Sequence, residues 1–395
     1  MALVDFVETI ARGMAKKEYV AAVALDFKKA FDCVDRKILF AKLEKYGVRG
    51  IALSWIKSYF ENRTQVVKYN NSFSSIESIT IGVPQGSILG PLFFLIFIND
   101  IVNTTRECKF FMFADDTNIV VKADSYDNLC KLTNKVLRIV STWLLVNRIA
   151  VNTRKCTTIS FGCESLSNIV LCGDKLSASN SFKYLGVVID ENLTFRNHAE
   201  KVISKLNQSI GILRKLTNLI NDKTKILLYN SLFLSHINYC IVIYGHKYRS
   251  FIETFRIMQL RAISVLFKCS QRQALKVMKS YRLLNFEDLI KYNISIFMFK
   301  AFQKLLPAQI QNVFTRYKDV HSRNSINSLN FTVNRSLSKP TDDCLSIYGV
   351  KLWNSLSPNL KSATSLNFFK KELKQSLLTQ LLYPFKPKYL SILFC

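Results

Sequence analysis

The residues best suited to chemistry are three carboxylates: Asp26, and the adjacent pair Asp115-Asp116. The pair interrupts two apolar runs, Phe110–Phe113 and Ile119–Val121, a pattern that predicts a tight β-hairpin with Asp115 at its tip. Ionised carboxylates stay out of cores unless something pairs with them, and a hard divalent cation such as Mg²⁺ takes carboxylate oxygens. Taken alone, Asp-Asp at a solvated turn is the commoner arrangement. Asp26 adds weight because it ends another apolar run, Val20–Leu25, which reads as a buried strand delivering a carboxylate at its C-terminal end.

The elements around these residues follow from periodicity. Asp35 is placed to cap a helix carrying Ile38, Leu39, Leu43 and Tyr46 at helical spacing, with Gly47 as its stop. A second helix is expected over 51–60, and a hairpin from Thr64–Tyr69 and Ser75–Ile81. The loop Gly82-Val83-Pro84-Gln85-Gly86-Ser87 precedes an apolar helix over about 88–102. After the Asp115 hairpin come a long amphipathic helix (about 125–147) and strands near 156–161 and 182–189. This order matches a split β-α-β-β-α-β arrangement, an α+β fold with helices on one face of an antiparallel sheet. There the first strand lies beside the central hairpin, so Asp26 and Asp115 would be neighbours despite their separation in sequence. Beyond 190 the pattern turns helical, at about 196–219, 223–244, 250–269 and 285–305. After about 306 it becomes mixed and polar, as in Ser322–Asn334, with a last helix at about 366–381.

The formal net charge is +27 over 395 residues and is unevenly placed. Residues 1–190 carry 24 Lys and Arg against 18 Asp and Glu, and residues 191–395 carry 31 against 10. An excess of this size points to a polyanionic partner, nucleic acid first. The ten cysteines form no CxxC pair or Cys/His cluster, which argues against a zinc knuckle and a disulfide scaffold and for a reduced, intracellular protein, in nucleus or cytoplasm. No uninterrupted apolar stretch reaches transmembrane length and no signal peptide is visible, so no stable membrane association is expected.

Four segments, in order, resemble the palm motifs of reverse transcriptases. They are Leu25-Asp26-Phe27-Lys28-Lys29-Ala30-Phe31-Asp32, the stretch Gly82–Pro91, Phe113-Ala114-Asp115-Asp116, and Trp143–Phe161 with Asn152 and Lys155 at its turn. Phe182-Lys183-Tyr184-Leu185-Gly186 resembles the segment that opens the primer grip, and Leu352-Trp353-Asn354-Ser355-Leu356 is similar to the tails of such proteins. The wording is nearest to polymerases of non-LTR (LINE-type, jockey-like) retrotransposons. One motif is weak evidence; four in the family's order are far more specific.

The resemblance implies a right-hand polymerase palm with residual fingers over 1–190. A helical basic thumb would follow over 191–305, and a C-terminal region over 306–395. It implies RNA-directed DNA synthesis with an RNA template, a DNA primer and dNTPs. Such phosphoryl transfer uses two Mg²⁺ ions, for which Mn²⁺ can substitute. Asp26 and Asp115 are assigned as bridging ligands, Asp116 as a third acid, and the Phe27 carbonyl as a further metal contact. Phe31 would close the sugar pocket against a 2′-hydroxyl, although an ordinary core Phe is the competing reading. The sugar-pocket role of Phe31 also disfavours an RNA-templated RNA polymerase. Gln85, Gly86 and Ala114 would contact the incoming nucleotide. Lys155 is a candidate proton donor to the leaving pyrophosphate, with a plain surface lysine as the alternative. Lys183, Lys201, Lys205, Arg214 and Lys215 would meet nucleic-acid phosphates, against the competing reading of a solvated helix face. The fingers upstream of the first palm strand in family members are mostly missing, as is an endonuclease domain. The expectation is therefore a shortened gene model, with a non-catalytic nucleic-acid-binding remnant as the alternative function.

Overall fold

The computed structural model describes residues 1–247, 249–320, 326–333 and 343–380. The chain divides into two compact units, one from residues 16–185 and one from residues 3–15 together with 186 onward. Among the described residues no helix is long and apolar enough to cross a membrane.

The first unit is built on a five-stranded sheet. Its strands are β1 (Tyr19–Leu25), β2 (Lys109–Phe113), β3 (Asp116–Ala123), β4 (Thr157–Phe161) and the short β5 (Ser177–Ala178). Their order across the sheet is β5-β4-β1-β3-β2. The four main strands are antiparallel to their neighbours, and β5 lies parallel to β4 at the edge. The order β4-β1-β3-β2 is the split β-α-β-β-α-β topology expected from the sequence. β1 is central because its run of Val and Ala is buried on both faces, with Val20 through Val23 fully covered.

In chain order the helices begin with α1 (Ala2–Ala15), which belongs to the second unit, followed by α2 (Arg36–Lys45), α3 (Gly50–Phe60), α4 (Leu89–Ile98) and α5 (Tyr126–Val146). Asp35 caps α2 as read from the sequence, accepting the Lys37 and Ile38 amides. Ser125 caps α5 through the Asn128 amide. The buried face of α5 (Leu129, Thr133, Val136, Leu137, Val140, Leu144) keeps a 3.6-residue period. It packs in one core with Ala21, Val23 and Leu25 of β1 and Ile119 and Val121 of β3. Odd-numbered residues of β1 and β3 therefore face the helices, and even-numbered ones face the opposite side.

Three local expectations change. The 64–81 hairpin forms two separate short ladders, Thr64–Gln65 with Glu77–Ser78 and Lys68–Tyr69 with Ser72–Phe73. Between them Ser74 takes over the pairing: its amide donates to the Val67 carbonyl and its hydroxyl accepts the Val67 amide. The helix expected to reach 102 stops at Ile98 and continues as a 3-10 turn. The strand near 182–189 is two strands, Ser181–Tyr184 and Val187–Asp190, interrupted where Leu185 and Gly186 take positive φ.

The second unit is helical: α1, then α6 (Arg196–Leu216), α7 (Asp222–Leu228), α8 (Arg249–Phe267), α9 (Gln271–Ser280), α10 (Phe286–Phe302) and α11 (Leu366–Gln380), joined by shorter turns. The helix expected over 223–244 is broken. A π turn spans Tyr229–Leu234, and Cys240 sits at φ +55. No Gly or Pro before Gly245 announces that break in the sequence. α9 was not expected, because only Ala274 and Met278 of it are buried and its apolar stripe is thin. Its start is fixed by a capping box between Ser270 and Gln273. Trp353 anchors this core. It is fully buried against Phe299, Phe302, Phe331 and Phe369, and its indole N–H donates to the Leu329 carbonyl at 2.9 Å. Asn354 beside it accepts from the Phe331 amide and donates to its carbonyl. Of the polar stretch 322–334, residues 326–333 are described; the rest, and 381–395, lie outside the described residues.

Candidate active site

The β2–β3 hairpin is closed by the pair Phe113↔Asp116, so Ala114 and Asp115 form a two-residue turn. Two-residue hairpin turns need positive φ and favour Gly or Asn there. Here Ala114 takes φ +52, a strained setting that fixes the direction of Asp115. On the other side β3 pairs with β1, the last pair being Leu25↔Thr117. One step further along that register Asp26 lies across from Asp116. Both are even-numbered and share the sheet face away from α5, with Asp115 at the tip beside them.

The electrostatics report the same convergence. The Asp116 carboxyl is pushed above its usual value, first by burial, then by Asp115 and Asp26, with Lys183 opposing. Asp116 therefore feels both other carboxylates, with Lys183 as the opposing charge, and the three offer an oxygen-only donor set suited to hard divalent ions. Among the described residues, no three His, Cys, Asp or Glu groups are already closed into a metal cage. The residues present fit a divalent ion through charge and donor type.

The backbone of Asp26 is gripped from the segment before β4. The Asp26 carbonyl accepts the Asn152 amide at 2.7 Å, and the Asp26 amide donates to the Cys156 thiol at 3.3 Å. Phe27 is buried and bridges Val151, and the Lys28 amide donates to the Ala150 carbonyl. Lys155, in the same turn, is exposed.

The loop 82–87 is fastened to the turn after β1. The Val83 amide donates to the Phe31 carbonyl, the Gly82 amide to the Val34 carbonyl, and the Gln85 side-chain amide to Asp32 at 2.7 Å. At Gly82, with φ +79, a Cβ would come within 2.7 Å of the Asp32 carbonyl oxygen, so only glycine fits. Gly86 is exposed at φ +78 with open space around it. Arg36 donates to the carbonyls of Phe60, Ile79, Ile81 and Gly82, tying α3, the hairpin and the loop together. Phe31 is half-buried, its ring 4.4 Å from that of Phe94. Thus Asp26, Asp115, Asp116 and Lys183 come together electrostatically, and Gln85 docks on Asp32.

On α6, Lys201, Lys205 and Lys215 lie on one exposed stripe away from the buried Ala199, Val202, Leu206 and Leu213, and Arg214 is exposed on the other flank of that buried face. They sit in the second unit.

Cys156 and Arg36 were not anticipated from sequence. Neither residue type signals its role, because each acts on backbone groups brought near only by folding.

Residues 4–189 match the family model described as reverse transcriptase (RNA-dependent DNA polymerase). This stretch is a reverse transcriptase domain. The chain is 28% identical over 266 residues to the RNA-directed DNA polymerase from mobile element jockey of Drosophila funebris, covering 63% of this chain and 28% of that protein. It is 27% identical over 262 residues to the jockey protein of Drosophila melanogaster, and 29% over 273 to the probable RNA-directed DNA polymerase from transposon BS of the same species. The matched segment spans less than a third of the length of these curated relatives. The resemblance to non-LTR retrotransposon polymerases is thus borne out. A telomerase structure from Candida albicans, solved with a fragment of telomeric RNA, aligns with 78% of this chain and 53% of its own, at 12% identity and a TM-score of 0.35. That likeness is too low to inform fold or function.

Proposed function

We propose that the reverse transcriptase domain extends a DNA primer 3′-end with dNTPs on an RNA template. The observation that carries this reading is the register placing Asp26 across from Asp116 beside the Asp115 turn, in a stretch that matches the reverse transcriptase family. Mg²⁺ ions held there would supply charge stabilisation at the primer hydroxyl and the triphosphate. Asp26, Asp115 and Asp116, with the Phe27 carbonyl, would hold these ions. Gln85 and Gly86, on the loop fastened to Asp32, and Ala114 line the nucleotide position. Phe31 blocks a 2′-hydroxyl. Lys155 supplies a proton to pyrophosphate. Lys183 and the α6 stripe of Lys201, Lys205 and Lys215, with Arg214, hold duplex phosphates without reading sequence, which makes binding salt-sensitive. Residues 1–190 act as palm with residual fingers, 191–305 as thumb and 306–395 as a C-terminal extension. The site of action is intracellular.

Primer extension on poly(rA)/oligo(dT) with Mg²⁺ tests the reading. Wild type incorporates dTTP, and Asp115→Ala loses at least roughly 100-fold, the scale of removing one transition-state contact. Equal incorporation by the two would remove Asp115 from the chemistry. Salt-dependent primer–template binding with no incorporation, even with Mn²⁺, would favour the non-catalytic remnant.

A further inference from the structure

The ladder between β1 and β4 ends at the pair Ala24↔Thr157. The next residue back on the β4 side, Cys156, has already turned away: its own amide, like that of Lys155, donates to the Asn152 carbonyl. The amide of Asp26 therefore meets the Cys156 thiol, at 3.3 Å. A buried backbone N–H without a partner is costly, and sulfur is a weak but sufficient acceptor. The thiol is fully buried, and burial pushes it up to about 11, so it stays neutral. The other backbone group of Asp26, its carbonyl, is taken by the Asn152 amide of the same turn. One five-residue turn thus holds both backbone polar groups of the carboxylate residue just past the end of the strand, where the sheet no longer fixes it.

We infer that Cys156 is a positioning residue: its sulfur holds the Asp26 amide and so sets where the Asp26 carboxylate stands relative to Asp115 and Asp116. This rests on the reading of Asp26 as a metal ligand, yet the bond itself can be examined apart from that reading. Its carbonyl stays held by the Asn152 amide, so losing the sulfur leaves the Asp26 amide without its acceptor and loosens its φ and the direction of its side chain. A serine keeps an acceptor in nearly the same place, whereas an alanine removes it at little steric cost.

The test compares wild type, Cys156→Ala, Cys156→Ser and Asp26→Asn in the full chain. Hydrogen exchange of the Asp26 amide is followed by NMR or by mass spectrometry of overlapping peptides. Binding of Mn²⁺ alone is followed by loss of the free-ion EPR signal. Cys156→Ala is expected to exchange the Asp26 amide faster and to weaken Mn²⁺ roughly three- to tenfold, the worth of one hydrogen bond. Cys156→Ser is expected to restore both. Far-ultraviolet dichroism and melting confirm that each variant is folded, and Cys156→Ser carries the test should the alanine variant unfold: a serine variant with slow Asp26 exchange and wild-type Mn²⁺ binding supports the assignment. Unchanged Asp26 exchange in Cys156→Ala would overturn the bond. Faster exchange with unchanged Mn²⁺ affinity would overturn the positioning role. Wild-type Mn²⁺ binding by Asp26→Asn would instead overturn Asp26 as a ligand, while the exchange data still decide the bond.

Discussion

The two units solve opposite electrostatic problems. The sheet unit gathers three carboxylates at one hairpin and leaves them under-compensated, so that Asp116 is held above its ordinary value. The helical unit has the larger basic excess, and on α6 Lys201, Lys205, Arg214 and Lys215 all stay in solvent while two buried histidines are kept neutral. His198 is pushed down to about 4 and His246 to about 3, both chiefly by burial. The lesson is that like charge is concentrated inward only where a ligand can offset it. Elsewhere folding exposes a charge, pairs it with an opposite one, as Lys42 with Asp100 and Glu8 with Arg12, or removes it.

The largest effect that could break this contrast is in the helical core. Trp353→Ala should cost about 3–5 kcal/mol by emptying the space between Phe299, Phe302 and Phe369. Chemical denaturation with hydrogen exchange would show whether the loss is confined to the helical unit; loss of protection in β1 and β3 as well would show that the units do not unfold independently.

Next comes Arg36→Ala in the sheet unit. One guanidinium serves four carbonyls there, and its removal should cost about 2–3 kcal/mol and loosen the 82–87 loop. An unchanged melting temperature would mean that water replaces it fully.

Acid should act on the helical unit first. All four histidines of the chain lie beyond residue 190. His246 donates from Nε2 to the Asp343 carbonyl while its Nδ1 stays unprotonated and unpaired, so the folded state holds it neutral. Its folded value lies below the unfolded one, near 6.5. The unfolded chain alone gains a proton as pH falls through 6.5, and stability is lost from there toward pH 4. At pH 5.5 each buried histidine should cost roughly 1 kcal/mol. His246→Gln should flatten that slope; a slope identical to wild type would assign the acid sensitivity to other groups.

The smallest effect has the opposite sign. A carboxyl raised in the folded state makes folding less favourable once pH passes its unfolded value, near 3.8. Asp116→Asn should therefore raise the melting temperature of the metal-free protein slightly at pH 7 and not at pH 3. Added Mg²⁺ should stabilise wild type more than this variant. A lower melting temperature at pH 7 would show that Lys183 outweighs the two neighbouring carboxylates.

Sheet order and the principal helices were legible because each depends on near-neighbour pattern. The β1 apolar run, the α5 period and the caps Asp35 and Ser125 write their structure locally. The breaks were not legible. Cys240 takes positive φ with no glycine to mark it, and α9 has two buried residues where a confident helix needs a stripe. The candidate site divides the same way. Asp26, Asp115 and Gln85 stand out in sequence because carboxylates and amides beside apolar or Gly/Pro-rich segments have few structural uses.

By itself the sequence determined which residues could do chemistry, the order of the elements that carry them, and the placing of most positive charge in the second half. Only the tertiary structure decided that Asp26 falls opposite Asp116, that Arg36 and Asp32 lock the 82–87 loop, and that a cysteine thiol holds the Asp26 amide. The reason is physical. Side-chain type and spacing fix local conformation, whereas register and backbone hydrogen bonding join residues far apart in sequence, 130 positions for Asp26 and Cys156, and nothing in either segment alone encodes the meeting.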